Sequence, residues 1–211
     1  LTHLIQIRKQ DFILHASGAI FWKNQSMLLI ADVHLGKVTH FRKHGAAIPL
    51  IAAYENLEKL TEVVNYFQPK TVCFLGDLFH SVLNSEWEDF TKWVEYIKSN
   101  VILISGNHDI IPQYLFEDID VKVLEELKIN NFYFTHHPTE HDTLFNFCGH
   151  IHPGVKMRGI GRQVMRLACF FKTKNQMIFP AFGNFTGKYI LEPTKEDEVF
   201  VLVDDEVIAV S

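Results

Sequence analysis

The sequence predicts an α/β sandwich of four layers, two mixed β-sheets packed face to face with helices outside them. Three observations predict it. The stretches 71–75 and 101–104 are apolar without polar alternation, as strands covered on both faces are. Two amphipathic helical stretches, 49–67 and 85–97, alternate with them, giving strand, helix, strand, helix, strand. From Ile119 onward short strand-like runs dominate instead.

In chain order, residues 3–8 and 12–15 read as short strands, and 19–22 with 27–31 as a hairpin joined by the polar turn Lys23-Asn24-Gln25-Ser26. Residues 32–48 read as a long polar loop containing Gly36 and Gly45. Pro49 then opens a helix as a first-turn proline. Leu50, Ala53, Tyr54, Leu57, Leu60, Val64 and Phe67 keep one apolar face until Pro69 stops it. Ser85 followed by Glu88 makes a capping box for the next helix, with Phe90, Trp93, Val94 and Ile97 inward. Residues 112–116 read as one helical turn. Strands follow over 120–124, 127–135, 145–148, 163–171, 176–180 and 198–210, with 124–129 open to a helical reading as well. No repeat or low-complexity tail interrupts the pattern. A single domain over residues 1–211 is expected, and the short segment between His108 and His136 leaves little room for a separate cap domain.

Composition narrows the class. No apolar run is long enough for a membrane span, and the alternating start of the chain carries no small-residue cleavage signal, so a cytoplasmic protein is expected. Cys73, Cys148 and Cys169 sit in apolar surroundings without a C-x-x-C pair and read as reduced core residues. The net charge of −5 argues against a chain that coats nucleic acid, but it conceals an asymmetry. Residues 84–126 hold ten acids and three bases, whereas residues 143–190 hold no acid and seven bases: Lys156, Arg158, Arg162, Arg166, Lys172, Lys174 and Lys188. An anionic substrate or partner is expected on that side.

The chemistry gathers where apolar runs end. Asp32-x-His34 follows the second hairpin strand, Gly76-Asp77 the next strand, and Gly106-Asn107-His108-Asp109 the one after it. His136-His137 follows a fourth, and Gly149-His150-Ile151-His152 offers two imidazoles that point the same way if the segment is extended. Open α/β folds place ligands at such strand ends. The mixed nitrogen and oxygen donors suit two divalent ions about 3.5 Å apart, with Asp77 able to bridge them, and lack the thiolates of structural zinc.

In content and order these five motifs resemble those of the calcineurin-like binuclear metallophosphoesterase superfamily. More narrowly, several longer stretches resemble the bacterial ligase-associated DNA-damage-response phosphoesterases. They are Ala31-Asp32-Val33-His34-Leu35-Gly36-Lys37 with Phe41-Arg42-Lys43-His44-Gly45, Thr135-His136-His137-Pro138, Cys148-Gly149-His150-Ile151-His152-Pro153-Gly154, and Pro180-Ala181-Phe182-Gly183-Asn184-Phe185-Thr186-Gly187. The likeness covers nearly the whole chain and departs at Lys188, where a second glycine is expected.

The resemblance implies Asp32, His34, Asp77 and His152 on one ion and Asp77, Asn107, His136 and His150 on the other, with a bridging hydroxide as nucleophile. Imidazole donors favour Mn, then Fe or Zn, over Mg. His136 is chosen over His137 because it falls first after the buried strand and Pro138 fixes the turn behind His137. His108 is the expected general acid or phosphoryl contact, with Asp109 orienting its imidazole. His80 and His137 are read as supporting groups beside the ligands. Lys37, Arg42, Lys43 and Arg158 are candidate phosphate contacts. His3, His15 and His141 read as structural or surface groups, while His40 and His44 lie near enough to be weighed for substrate. Phe79, Phe145, Phe182 and Phe185 are weighed for base stacking, although most of the 18 phenylalanines must be core.

The resulting expectation is a metal-dependent nuclease acting on DNA in repair, with a helicase and a DNA ligase as partners and a homo-oligomer left open. Its rivals are a small-molecule or nucleotide phosphatase and a non-catalytic scaffold.

Overall fold

The computed structural model describes residues 1–43, 45, 47, 54–80, 85–159, 161, 163–184 and 186–210, the side chains of Lys43 and Ser85 excepted. A first sheet holds β1 (Thr2–Ile7), β2 (Gln10–His15), β3 (Ile20–Trp22), β4 (Met27–Ile30), β5 (Thr71–Leu75), β6 (Asn100–Ile104) and β7 (Val121–Leu124), side by side in that order. β1 to β4 pair antiparallel through tight turns, and β4 to β7 pair parallel. Parallel neighbours need crossovers. α2 (Glu55–Phe67), α3 (Ser85–Tyr96) and α4 (Gln113–Glu117) lie in those crossovers. The carboxyl ends of β4, β5 and β6 are thereby brought to one edge, the place where open sheets build sites.

The second sheet runs β14 (Tyr189–Ile190), β11 (Pro153–Arg158), β12 (Val164–Lys172), β13 (Gln176–Ile178), β10 (Phe145–Cys148), β9 (Phe132–Thr135), β8 (Leu127–Ile129). β15 (Glu198–Val203) pairs with β12, and β16 (Glu206–Ala209) pairs with β15.

Strand alternation sorts the core into layers. Leu28, Ile30, Val72, Phe74 and Leu103 face Leu60, Val64, Phe90, Trp93 and Phe116 of the helices. Leu29, Ala31, Cys73, Leu75 and Ile104 face Phe132, Phe134, Phe145, Phe147, Phe170 and Phe179 of the second sheet. Phe134 and Phe147 stack with centroids 5.4 Å apart. Each such ring stabilises the sandwich by roughly 1.5–3 kcal/mol through burial. Phe79, Phe145 and Phe182 are buried and so are core rather than stacking surfaces; Phe185 lies outside the described residues. The described helices all precede residue 118, and Leu191 and Val210 pack against the outer face of the second sheet. The three cysteines are buried and free, as expected. No described helix is long and apolar enough to cross a membrane.

Four local expectations are corrected. Residues 32–48 are not all loop, because Lys37–Lys43 forms a helix, α1. The run 127–135 is two strands, turned at Asn130 with φ +53°, and 198–210 is two strands turned at Asp204 with φ +45°. Continuous β-propensity hid both turns. The helical alternative at 124–129 gives way to strand pairing. β11 and β14 escape the sequence reading because Pro153-Gly154 and Gly187 are loop signals that pairing with β12 and β11 overrides. The helix start at Pro49 and the Ser85 cap fall outside the described atoms, as do His44 and Arg162.

Candidate metal centre

The site is built by loops that continue the strand pairing after the strands end. His34 N donates to Asp77 O at 2.9 Å and Leu35 N to Leu78 O at 2.8 Å, so the first two motifs travel together. Asp32, His34, Asp77, His150 and His152 all adopt positive φ, between 52° and 67°. Left-handed backbone at non-glycine residues costs roughly 1–2 kcal/mol each, and such strain gathers where a site fixes side-chain direction. The expectation of an extended Gly149–Gly154 segment is thereby corrected: positive φ, not strand alternation, turns His150 and His152 the same way. Close approach is the other device. A Cβ at Gly76 would overlap the His136 ring, and one at Gly149 would overlap the Asp32 carboxylate.

Two clusters result. In the first, His152 Nε2 lies 3.3 Å from Asp32 Oδ1 and 3.5 Å from His34 Nε2, which is 4.0 Å from Asp77 Oδ2. In the second, His136 Nε2 lies 3.4 Å from Asp77 Oδ1, 3.0 Å from Asn107 Oδ1 and 3.2 Å from His150 Nδ1. All seven expected ligands therefore converge. His136 Nδ1 is fixed by Leu75 O at 2.9 Å, leaving Nε2 to face the cluster. His137 is exposed, its ring 4.1 Å from that of His150, and its nitrogens are near enough to share an ion with His136 and His150.

The donor set fits divalent cations. Asp32, His34, Asp77 and His136 are buried, and among the described residues Asp32 Oδ1 has no hydrogen-bond donor. Buried carboxylates facing imidazole nitrogens are costly unless a cation lies among them. Burial foremost, then the Lys37 charge, pushes the His34 imidazole down to about 2, which keeps it in the neutral form that ligation requires.

The remaining candidates divide. His108 is half-buried, donates its backbone N–H to Asp77 Oδ1 at 2.9 Å and holds its ring 5.6 Å from that of His34. Asp109 does not orient that ring: its Oδ2 accepts from Gly106 N at 2.9 Å and its Oδ1 from Phe79 N at 3.1 Å. Its carboxylate instead laces the third motif to the second, and burial pushes its carboxyl up to about 6. His80 packs edge-on against His34 at 5.6 Å and lies 5.2 Å from His108, with burial holding its imidazole down at about 4.

Lys37 is half-buried on α1; burial lowers its ammonium pKa, while Asp32 and Asp77 raise it. Arg42 is exposed on the same helix, and only the backbone of Lys43 is described. Arg158 is not brought to the ligands: it ends β11, six residues and about 20 Å beyond His152 at ~3.3 Å per residue. Two contributing residues were missed. Asn56 Nδ2 donates to Val33 O at 3.1 Å and its Oδ1 accepts from Asn184 N at 3.0 Å, while Lys59 Nζ donates to Phe182 O at 2.7 Å. The available signal was an asparagine four before Leu60 on an otherwise apolar stripe.

The family model for calcineurin-like phosphoesterases matches residues 26–169, a span that takes in every one of these ligands. The chain belongs to the calcineurin-like phosphoesterase family. It is a metal-dependent phosphoesterase. Among solved structures this calcineurin-like phosphoesterase is similar to the nuclease MPE of Pseudomonas putida, with 27% identity and a TM-score of 0.84 over 100% of both chains. Looser likenesses are Yfce, a phosphoesterase from E. coli, and Vps29 from Entamoeba histolytica. Yfce shows 15% identity and a TM-score of 0.43. Vps29 shows 17% and 0.38, and each covers 87% of this chain and 96% of its own. No curated protein matches the sequence.

Proposed function

We propose that this phosphoesterase is a nuclease that hydrolyses phosphodiester bonds of DNA with two divalent cations, manganese foremost. The observation that carries the reading is the placement of Asp77, whose Oδ2 faces His34 and whose Oδ1 faces His136, so that one carboxylate serves both clusters. Asp32, His34, Asp77 and His152 would hold one ion, and Asp77, Asn107, His136 and His150 the other. Bound there, the ions supply Lewis acidity and an acidified water for attack on phosphorus. The mixed imidazole, amide and carboxylate donors favour Mn, Fe or Zn over Mg.

The chain's own groups do the rest. The Asp77 carboxylate holds His108 N–H and so presents the His108 ring beside the clusters, where it donates a hydrogen bond or a proton to the departing oxygen. Lys37 brings positive charge toward an anionic substrate from the half-buried face of α1. Full-length likeness to a nuclease supports nucleic acid as substrate. The DNA-repair setting and the helicase and ligase partners rest on the resemblance to the ligase-associated group, and the cytoplasmic location on apolar runs too short for a membrane span. A single domain without a cap would let a partner complete the channel; equal rates for the isolated protein and the reconstituted assembly would remove that role.

The test is hydrolysis of bis(p-nitrophenyl) phosphate beside the monoester, single-stranded DNA and duplex DNA. Mn is added to metal-stripped protein, with Asn107→Ala and His108→Ala as controls. Diester and DNA cleavage, lost in both variants, is the expected result. Activity confined to the monoester or to nucleotides would overturn it in favour of a small-molecule phosphatase, and no activity with any metal would favour a scaffold.

A further inference from the structure

One face of the second sheet changes character along its length. On β12, Phe170 lies in the core between the sheets. Ala168, Arg166 and Val164 follow on the same face, because side chains alternate along a strand. The register pairs Gly154 with Ala168, Lys156 with Arg166 and Arg158 with Val164, so three β11 positions share that face. Core at Phe170 thus becomes cationic surface four residues away. Lys156 and Arg166 stand directly opposite each other, a like-charge pairing that disfavours the sheet. Among the described residues neither of them, nor Arg158 or Lys188, has a carboxylate partner.

The inner end of this face floors a cavity of about 240 Å³ that has the expected ligand His152 in its wall. Lys59, Lys188, Thr186 and Ser17 also line it, and among the described residues no acidic side chain does. Lys59 reaches in from α2, its ammonium 4.2 Å over the Phe182 ring and donating to the Phe182 carbonyl at 2.7 Å. A half-buried cation with no ion-pair partner among the described residues keeps donors for an anionic ligand. At Gly154 a Cβ would come 3.1 Å from the Lys188 Cβ, so the missing side chain lets Lys188 lie across β11. The departure at Lys188 therefore adds a base where the cavity meets the hairpin.

We propose that this face is a nucleic-acid track. The sugar–phosphate backbone on one side of the scissile bond passes His152, seats a phosphate between Lys59 and Lys188, and runs outward over Lys156, Arg166 and Arg158. The inference rests on the nuclease reading and adds to it the surface that holds the polymer. From Gly154 to Arg158 the hairpin spans about 13 Å, about four base-pair steps along the axis of a duplex at ~3.4 Å each. The track touches phosphate and carries no sequence preference.

The test uses the full chain and fluorescein-labelled single-stranded and duplex DNA, titrated at several salt concentrations. The variants are Lys156→Gln with Arg158→Gln and Arg166→Gln combined, and Lys188→Gln alone. The combined variant is expected to flatten the slope of log affinity against log salt by about 2–3, and Lys188→Gln by about 1, at ~0.7–0.9 for each phosphate the protein no longer neutralises. The ratio of DNA cleavage to bis(p-nitrophenyl) phosphate hydrolysis should fall with affinity. If the combined variant does not fold, Lys188→Gln, exposed and single, decides alone. Wild-type DNA cleavage with unchanged slopes in the variants overturns the track and leaves the nuclease reading standing. Wild-type diester hydrolysis without DNA binding or cleavage overturns both.

Discussion

The Nε2 atoms of His34 and His152 lie 3.5 Å apart although 118 positions separate the residues in the chain. Two imidazole nitrogens so close, with Asp32 beside one and Asp77 beside the other, are held together most favourably by a shared cation. Metal removal should therefore cost stability. Binding at a hundredfold excess over Kd contributes about 2.7 kcal/mol, and each kcal/mol moves the melting point of a chain this size by about 2–4 °C. Calorimetry of chelated protein, before and after Mn addition, should show a rise of about 5–10 °C that His152→Ala largely removes. An identical melting point in both states would count against the metal centre.

His108 stands at the clusters without joining them. His108→Ala should lower kcat on a phosphodiester by about 10²–10⁴, the range for a lost general acid. The stabilisation by Mn should persist. Loss of both together would make His108 a ligand instead.

Asp109 separates a structural effect from a chemical one. Both its oxygens accept backbone N–H groups, from Gly106 and Phe79. Asp109→Ala leaves those donors unpaired, at about 1–3 kcal/mol each when buried. A lower urea midpoint is expected, and Asp109→Asn, which keeps one acceptor, should recover part of it. An unchanged midpoint in Asp109→Ala would show that the lacing contributes nothing.

Gly183 tests the seam between the first motif and the last loop. A Cβ there would overlap Val33 O, a backbone atom that cannot swing aside, in the place where Asn56 already ties Val33 to Asn184. Overpacking of this kind costs about 1–3 kcal/mol. Gly183→Ala should also weaken Mn binding, because Val33 lies between Asp32 and His34. Titration calorimetry would read it, and wild-type affinity would disprove the coupling.

The strands that carry the site were legible because both their faces are buried, so 71–75 and 101–104 read as apolar runs ending in Asp77 and Asn107. Motif order supplied the candidate ligands. What stayed hidden depends on long-range pairing or on backbone sign. β11 is a strand because β12 pairs with it, and no local propensity at Pro153-Gly154 says so. The positive φ of His150 and His152 comes from the fold around them. The adjacency of Asp109 to His108 in the chain suggests a contact, whereas its partners are Gly106 N and Phe79 N. Lys59 projects from an unremarkable helix position, and its neighbour Phe182 is 123 positions away.

The buried thiols set the alkaline limit. Burial pushes Cys73 and Cys169 up to about 12 and raises Cys148 as well. An unfolded thiol ionises near 8.5. From about pH 9 to 12 the folded chain therefore binds more protons than the unfolded one, and stability falls as pH rises. Each thiol contributes a slope of about 1.4 kcal/mol per pH unit, about 4 for the three. Lys59 works the other way: burial lowers its ammonium to about 8, so the unfolded chain holds the extra proton between about 8 and 10.5 and stability gains. One lysine offsets at most one thiol. Urea midpoints should fall little from pH 8 to 9 and steeply by pH 10.5, and Cys169→Ala should reduce that fall by about half, because Lys59 already cancels one of the three thiols. A midpoint that holds through pH 10.5 would mean that the thiols are not sealed in the core as their burial indicates.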